Sequence, residues 1–411
     1  MSIMGKRGNN EGSIRQRKDG KWEARISIGY TDDGKLKRIS KYFDTRKEAA
    51  TWLAEVHTAQ RKGDFVQPDK ITVADWMPKW LEAHCKPPLI EDTTYASYES
   101  IIRIHIVPGL GTIPLQKLLP SDIQGFLNGK LGNGRADGKP GGLSTRTVRY
   151  MHFLLQAGLE QAKKEGLMVR NVAEDATLPK MEKWEPVYLT QEEVDHFLDV
   201  AEKDRLSPAL LMEMGTGLRR GELLGLKWAD IDFKAGTVTI RRQLVLLNGK
   251  PVWHDHLKTR AGGRTITLPD DVLDVLRFYQ RRQDNEKEFC GDAYEDSGLV
   301  FCQPNGRRIS PRNFVRHFDL LLEKKAGIRH IPFHATRHTH ATELLAAGVD
   351  LKTIQKRLGH SSFHVTADFY AHIGEELQKD AAAKANEVLN RRKKRTEVQN
   401  APKVSQKQKS G

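Results

Sequence analysis

Near the start of the chain hydrophobic residues recur with a period of two, and through most of the remainder with a period close to 3.6. No single element satisfies both. In GSIRQRKDGKWEARISIGY, Trp22, Ala24, Ile26 and Ile28 alternate with Lys21, Glu23, Arg25 and Ser27, as strands with one buried face do. Asp19-Gly20 and Asp33-Gly34 interrupt this region and predict hairpin turns. A third stretch, KLKRISKYFD, precedes TRKEAATWLAEVHTAQ. There Thr45 and Glu48 have the spacing of a capping box, and Ala49, Trp52, Leu53 and Val56 form an apolar stripe. Residues 1–65 are therefore expected to form a three-stranded sheet with one helix.

After KGDFVQPDK, a linker by composition, the helical period takes over. Ala74, Trp76, Trp80 and Leu81 recur at helical spacing. Leu143-Ser144-Thr145 is placed to cap a long helix running from Arg146 to Lys164, whose Val148, Met151, Leu155, Leu159 and Ala162 share one side. The Gly-rich stretch NGKLGNGRADGKPGGLS reads as a flexible loop. Residues 71–178 are expected to be an all-α unit. Residues 185–383 are mixed and mainly α (α+β). A helix opens after Thr190, TVTIRRQLVLLNGKPVWHDHLKTRAGGRTITLP reads as a small antiparallel sheet turning at Asn248-Gly249 and Ala261-Gly262-Gly263, and helices resume at Asp270. Residues 384–411 are polar and basic, without apolar periodicity, and are expected to be disordered.

Size and charge agree with this division. A chain of 411 residues exceeds one ordinary domain, and a mean hydropathy of -0.58 suits a soluble globular protein. The opening MSIMGKRGNN offers no apolar segment for export and no run is long enough to span a bilayer, so no membrane partner is expected. Cys85, Cys290 and Cys302 are odd in number and lack CxxC spacing, which favours reduced thiols over disulfides or zinc. The net charge is +14. Residues 1–70 supply +6 of it and residues 384–411 supply +7, while the stretch between is almost neutral. A basic first unit points to a polyanionic partner, because neutralising phosphates releases condensed counterions. Its candidate DNA contacts are Arg15, Arg17, Lys18, Lys21, Arg25, Lys37 and Arg38.

Four segments of the third unit carry chemistry. In Thr216-Gly217-Leu218-Arg219-Arg220-Gly221-Glu222, Arg219 stands at a helix start, where backbone N–H groups also face an anion. His256-Leu257-Lys258-Thr259 puts Lys258 near the tip of a β-arm. In His334-Ala335-Thr336-Arg337-His338, His334 and Arg337 share a helix face. Leu358-Gly359-His360 is followed ten residues later by Tyr370. Two guanidiniums can grip the non-bridging oxygens of a phosphodiester. A phenol can attack phosphorus once its proton is accepted, and a Lys ammonium can protonate the departing alcohol.

The order Thr-Gly-x-Arg, Lys-Thr, His-x-x-Arg, Leu-Gly-His, Tyr resembles the catalytic signature of the tyrosine recombinases of the phage integrase family. The resemblance implies that Arg219 and Arg337 clamp the scissile phosphate and that Lys258 is the general acid. It also implies that His334 assists proton transfer from Tyr370, that His360 hydrogen-bonds the phosphate, and that Tyr370 forms a 3′-phosphotyrosyl link. Glu222 resembles the family's structural acid. The 71–178 unit resembles the helical core-binding (SAM-like) domain, although Val172 stands after Asn171 where the family usually has Pro. Residues 1–65 resemble the arm-binding domain of integrases from phages and integrative conjugative elements. Residues 185–383 then correspond to the catalytic domain. The resemblance implies a homo-tetramer on double-stranded DNA, with core and arm sites, and no metal, ATP or other cofactor. A host DNA-bending protein and an excisionase become candidate partners.

Three other readings compete. His334 and His338 have the i,i+4 spacing of metal ligands, but Ala335 stands where HExxH requires Glu; His338, His340 and His372 read better as packing groups. A purely architectural DNA-binding protein has no use for a placed phenol. A relaxing topoisomerase shares the chemistry but does not call for a separate basic first unit.

Overall fold

Three antiparallel strands, β1 (Ser13–Gln16), β2 (Trp22–Tyr30) and β3 (Leu36–Phe43), pair in sequence order. Gly20 supplies the positive φ that the first turn needs. The computed structural model describes residues 12–30, 34–62, 65–66, 69–182, 186–254 and 263–359, with residues 382, 385 and 386. The Asp33 side of the second turn, Lys258, the Ala261-Gly262 turn, His360, Tyr370, His372 and nearly all of 384–411 lie outside the described residues.

Helix α1 (Arg46–Lys62) begins at the expected capping box: the Thr45 N–H donates to the Glu48 carboxylate, and the Glu48 N–H to the Thr45 hydroxyl, both at 3.2 Å. Its Ala49, Leu53 and Val56 pack on Ala24 and Ile26 of β2, closing a small core. The outward face differs from expectation at one point. Glu23 is only 2% exposed, because the guanidiniums of Arg15 and Arg25 close over it from both sides.

The helical part that follows has its own core. It contains α2 (Val73–Cys85), α3 (Asp92–Ile101), α4 (Val107–Leu110), α5 (Pro120–Asn133) and α6 (Thr145–Lys164). Thr72 and Asp75 cap α2 reciprocally, and Ser144 caps α6. Gly158 lets α2 and α6 approach closely: a Cβ there would lie 2.7 Å from the Met77 sulfur. The Trp76 indole N–H then reaches the Gly158 carbonyl at 2.8 Å. Burying a side chain of this size contributes roughly 1.5–3 kcal/mol.

The Gly-rich stretch is not a loop throughout, since α5 runs on to Asn133. Ile123, Phe126 and Leu127 are buried at helical spacing and Leu131 packs against the same core. That burial outweighs the roughly 1 kcal/mol per residue that Gly costs a helix. Only Gly134 to Leu143 form the loop.

Residues 184–411 form a separate compact unit from 1–183. It contains α7 (Gln191–Ala201), α8 (Ser207–Thr216), α9 (Arg220–Leu223), strands β4 (Ile231–Asp232), β5 (Thr237–Ile240), β6 (Gln243–Leu247), β7 (Lys250–His254) and β8 (Arg264–Thr267). The helices α10 (Asp270–Cys290), α11 (Pro311–Asp319), α12 (Ala335–Ala346) and α13 (Leu351–Leu358) complete it. The strands do not make one sheet. β5 pairs with β4 and, bypassing β6 and β7, with β8, giving the order β4-β5-β8, while β6 and β7 form a separate hairpin about Asn248-Gly249. Val238 opposite Ile266 keeps the apolar faces of β5 and β8 on the core. In the same core, Phe197, Phe314, Phe318 and Phe333 meet edge to face at centroid distances of 5.1–5.5 Å, a favoured aromatic geometry. Among the described residues no helix is long and apolar enough to cross a membrane.

Candidate active site

Helix α8 ends at Gly217, whose φ of 63° is left-handed. This position admits only glycine for two reasons. The backbone conformation strains other residues, and a Cβ would meet Leu358 at 2.6 Å and the His340 ring at 2.8 Å. The tight turn sends the chain directly into Arg219 and the short helix α9. The Arg219 N–H donates to Glu222 Oε2 at 3.0 Å, and one guanidinium nitrogen donates to Glu222 Oε1 at 2.7 Å.

Glu222 also accepts two hydrogen bonds from Arg264, at 2.9 and 3.2 Å. Burial alone would raise its pKa, but the Arg264 hydrogen bonds and charge, with that of Arg219, outweigh burial and hold it below the usual carboxylate value. Glu222 thus balances the charge of two guanidiniums that would otherwise repel one another.

The third guanidinium comes from α12. Arg337 is 1% exposed and donates to the carbonyls of Gly217 at 2.7 Å and Leu358 at 2.5 Å. Arg264 donates to the Arg357 carbonyl at 2.6 Å, and Arg219 to the Gly359 carbonyl at 3.0 Å. Three arginines from α9's cap, β8 and α12 therefore hold three consecutive carbonyls at the end of α13, the negative pole of that helix. The residue after Gly359 is His360. Desolvation first, and then the charge of Arg219, draw the Arg337 pKa down to about 9, so it remains a cation at neutral pH.

His334 caps α12 and lines a cleft of about 660 Å³ with Arg219, Arg220 and the start of β6. Desolvation by the protein beneath the ring, then the charges of Arg337, Arg219 and Arg220, push its pKa below the ordinary histidine value even though its outer face is exposed. A neutral imidazole here can accept a proton. His338 meets it edge to face at 5.0 Å, and burial with the neighbouring His334 and Arg337 lowers His338 to about 4. No third ligand joins this pair among the described residues. The one metal-compatible trio there is Asp319, Glu323 and His330. His340 is buried and packs under the Gly217 turn, accepting from Arg357 at 3.2 Å.

The structure thus brings Arg219, His334 and Arg337 together, while Lys258, His360 and Tyr370 lie outside the described residues. Sequence reasoning missed Arg264, Arg357 and Glu213. Arg264 carried a signal: it alternates in phase with Ile266 and Leu268, on the strand face that points inward, where an arginine needs a buried partner. Arg357, which reaches the Gly215 and Thr267 carbonyls, and Glu213, buried at 1% exposure on α8, carried none.

In the first unit the candidate cations divide into two sets. Arg15 and Arg25 are engaged by Glu23, whose pKa they lower, the Arg15 hydrogen bond most strongly. Arg17 lies 3.6 Å from Asp19 and stacks over Tyr42 at 4.7 Å, and Lys21 lies 3.7 Å from Asp44. Lys18, Lys37 and Arg38 are exposed.

Comparison with known proteins agrees with the geometry. The phage integrase family model matches residues 187–376, that of the phage integrase N-terminal SAM-like domain matches 72–131, and that of an arm DNA-binding domain matches 13–60. The chain is 29% identical over 396 residues to the tyrosine recombinase XerC-like protein of Caldanaerobacter subterraneus subsp. tengcongensis, across 90% of this chain and 98% of the relative. It is 33% identical over 253 residues to the tyrosine recombinase XerA of Pyrococcus furiosus, across 59% of this chain and 77% of the relative. Among solved structures, the Tn1549 transposon integrase in complex with transposon right end DNA shares the fold with a TM-score of 0.62. That match has 22% identity and covers 76% of this chain and 99% of the integrase chain. By matched domains and by relatives, the chain belongs to the phage integrase family of tyrosine recombinases, enzymes that cleave and rejoin DNA.

Proposed function

We propose that the chain is the integrase of a mobile element and that Tyr370 is its nucleophile. The observation that carries this reading is the convergence of Arg219, Arg337 and a neutral His334 beside one cleft, at the positions the family signature requires. In the proposed step the Tyr370 oxygen attacks phosphorus as its proton passes toward His334. The bond from phosphorus to the 5′ oxygen breaks, that oxygen takes a proton from Lys258, and the DNA 3′ end stays on Tyr370 as a phosphotyrosine. His360 and the two arginines bind the non-bridging oxygens, whose growing charge fixed cations stabilise without reorganisation. Rejoining is the reverse with a new 5′ hydroxyl. Because the phosphotyrosine conserves the bond energy, neither a metal nor ATP enters.

Exchange between two duplexes requires two cuts on each, hence four protomers, with residues 71–178 and 185–383 gripping each core site. Residues 1–65 bind separate arm sites, with Lys18, Lys37 and Arg38 the best placed to meet phosphate and Arg15, Arg17, Lys21 and Arg25 contributing more weakly through their acidic neighbours. Joining distant arm and core sites requires bent DNA, the part a host DNA-bending protein plays, and an excisionase would set direction. The substrate is then the DNA of a bacterial cytoplasm, nucleoid included.

The direct test is incubation with a nicked duplex that traps the intermediate, followed by mapping of the labelled peptide; a label on any residue other than Tyr370 overturns the assignment. Removal of residues 1–65 is expected to leave footprints at the cleavage site and erase those at arm sites. Unchanged footprints at both would refute the arm assignment.

A further inference from the structure

Glu213 on α8 is buried at 1% exposure against the guanidinium cluster, yet among the described residues it makes no ion pair. Its Oε1 lies 2.7 Å from the Thr336 hydroxyl, and its Oε2 is buried with no hydrogen-bond partner among the described residues. The same Thr336 hydroxyl lies 2.6 Å from the Phe333 carbonyl. A hydroxyl has one proton. If Glu213 were ionised, that proton would serve either the carboxylate or the carbonyl, and the other contact would oppose two lone pairs at hydrogen-bond distance. Both contacts are satisfied together only when Glu213 carries a proton on Oε1, donates it to Thr336, and Thr336 donates onward to Phe333.

We propose that Glu213 is a positioning residue that keeps its proton during the reaction and, through Thr336, fixes the first turn of α12 from which Arg337 reaches the phosphate. This rests on the reading of Arg337 as a phosphate clamp. Thr336 precedes Arg337 in that turn, and the Thr336 N–H also donates to the Phe333 carbonyl at 3.2 Å. Loss of the Glu213 proton would break the relay at Thr336 and place a second anion beside a guanidinium that has to be available to DNA.

The surroundings support a neutral acid. Arg337 on α12 and Arg264 on β8 attract a negative Glu213, while Glu222 on α9 repels it. Arg219, Arg220 and His334 share its cleft from the α9 and α12 ends, and Asp319 and His330 share it from the α11 side. Burial dominates these charges and raises the Glu213 pKa to about 8. The sign follows: the competent, protonated form prevails below that value and is lost as pH rises through it.

The test measures single-turnover adduct formation on a nicked duplex from pH 6 to pH 9.5 for the wild type, Glu213→Gln and Glu213→Ala. An amide donates to Thr336 as the acid does and cannot ionise. Glu213→Gln is therefore expected to restore the neutral-pH rate that Glu213→Ala loses. Its rate relative to wild type should then climb about tenfold for each pH unit above the Glu213 pKa, as the wild-type proton is lost. The ratio cancels ionisations that residue 213 does not influence, and it is read below the Arg337 pKa of about 9, where that guanidinium is a cation in both proteins. A ratio independent of pH, or a Glu213→Gln variant as slow at pH 7 as Glu213→Ala, overturns the proposal. Failure of the recombinase assignment is distinguishable, because the wild type would then form no adduct on Tyr370 at any pH.

Discussion

Tyr370→Phe is expected to bind duplex DNA as tightly as the wild type and to form no covalent protein–DNA adduct. The substitution removes one oxygen and keeps the ring, so packing and charge are unchanged. Affinity for a duplex comes chiefly from cations that neutralise phosphates, and a neutral phenol adds little to it. The rate has no such substitute. Arg219, Arg337 and His334 would stabilise charge on the phosphate and accept a proton, but the attacking atom would be missing. Losing a nucleophile that acts with its partners as a unit costs on the order of 10⁴–10⁶ in rate, below detection in a gel assay. Nicked substrates that trap the intermediate, denaturing electrophoresis and a parallel binding titration measure both quantities. An adduct in the Phe variant would place the nucleophile elsewhere. Free hydrolysed ends from the wild type would replace strand transfer with hydrolysis.

How far the sequence could be read follows from the range of each interaction. Local signals were legible: the Thr45–Glu48 cap, the helix start after Thr190, the Asn248-Gly249 hairpin and the stripe of α6 each depend on residues close in the chain. Arg219 and His334 were legible as candidates for the same reason, since each stands in a short motif. What was illegible depends on partners far apart in the chain. The pairing of β5 with β8 skips the hairpin between them, and only the shared apolar face of Val238 and Ile266 decides it. The extension of α5 through Gly129 and Gly132 depends on the core it shares with α6. Glu23 was assigned outward correctly by alternation, but its burial comes from two long side chains folding over it. The grip of Arg264, Arg337 and Arg219 on successive α13 carbonyls joins segments 93, 21 and 140 residues apart. No motif records that.

That grip determines the second large effect. Arg337→Lys is expected to lower the cleavage rate by about 10²–10³-fold, the usual cost of one lost donor to a developing oxyanion, while duplex binding stays close to wild type. Charge is conserved, so the loss isolates geometry. A guanidinium is planar and presents donors in two directions at once, which is how Arg337 reaches Gly217 on the α8 side and Leu358 on the α13 side. A lysine ammonium is a compact point charge on a flexible stem. It can replace one of those contacts, leaving the other buried carbonyl without its donor and the end of α13 less firmly held. His360 follows Gly359 directly, and the variant should form adduct slowly even at saturating DNA. The melting temperature should fall too, since an unsatisfied buried carbonyl costs roughly 1–3 kcal/mol. Single-turnover kinetics on the nicked duplex, with thermal denaturation of the same preparations, separate the two effects. A lysine variant that cleaves at the wild-type rate would show that a point charge suffices, and the planar clamp would have to be abandoned.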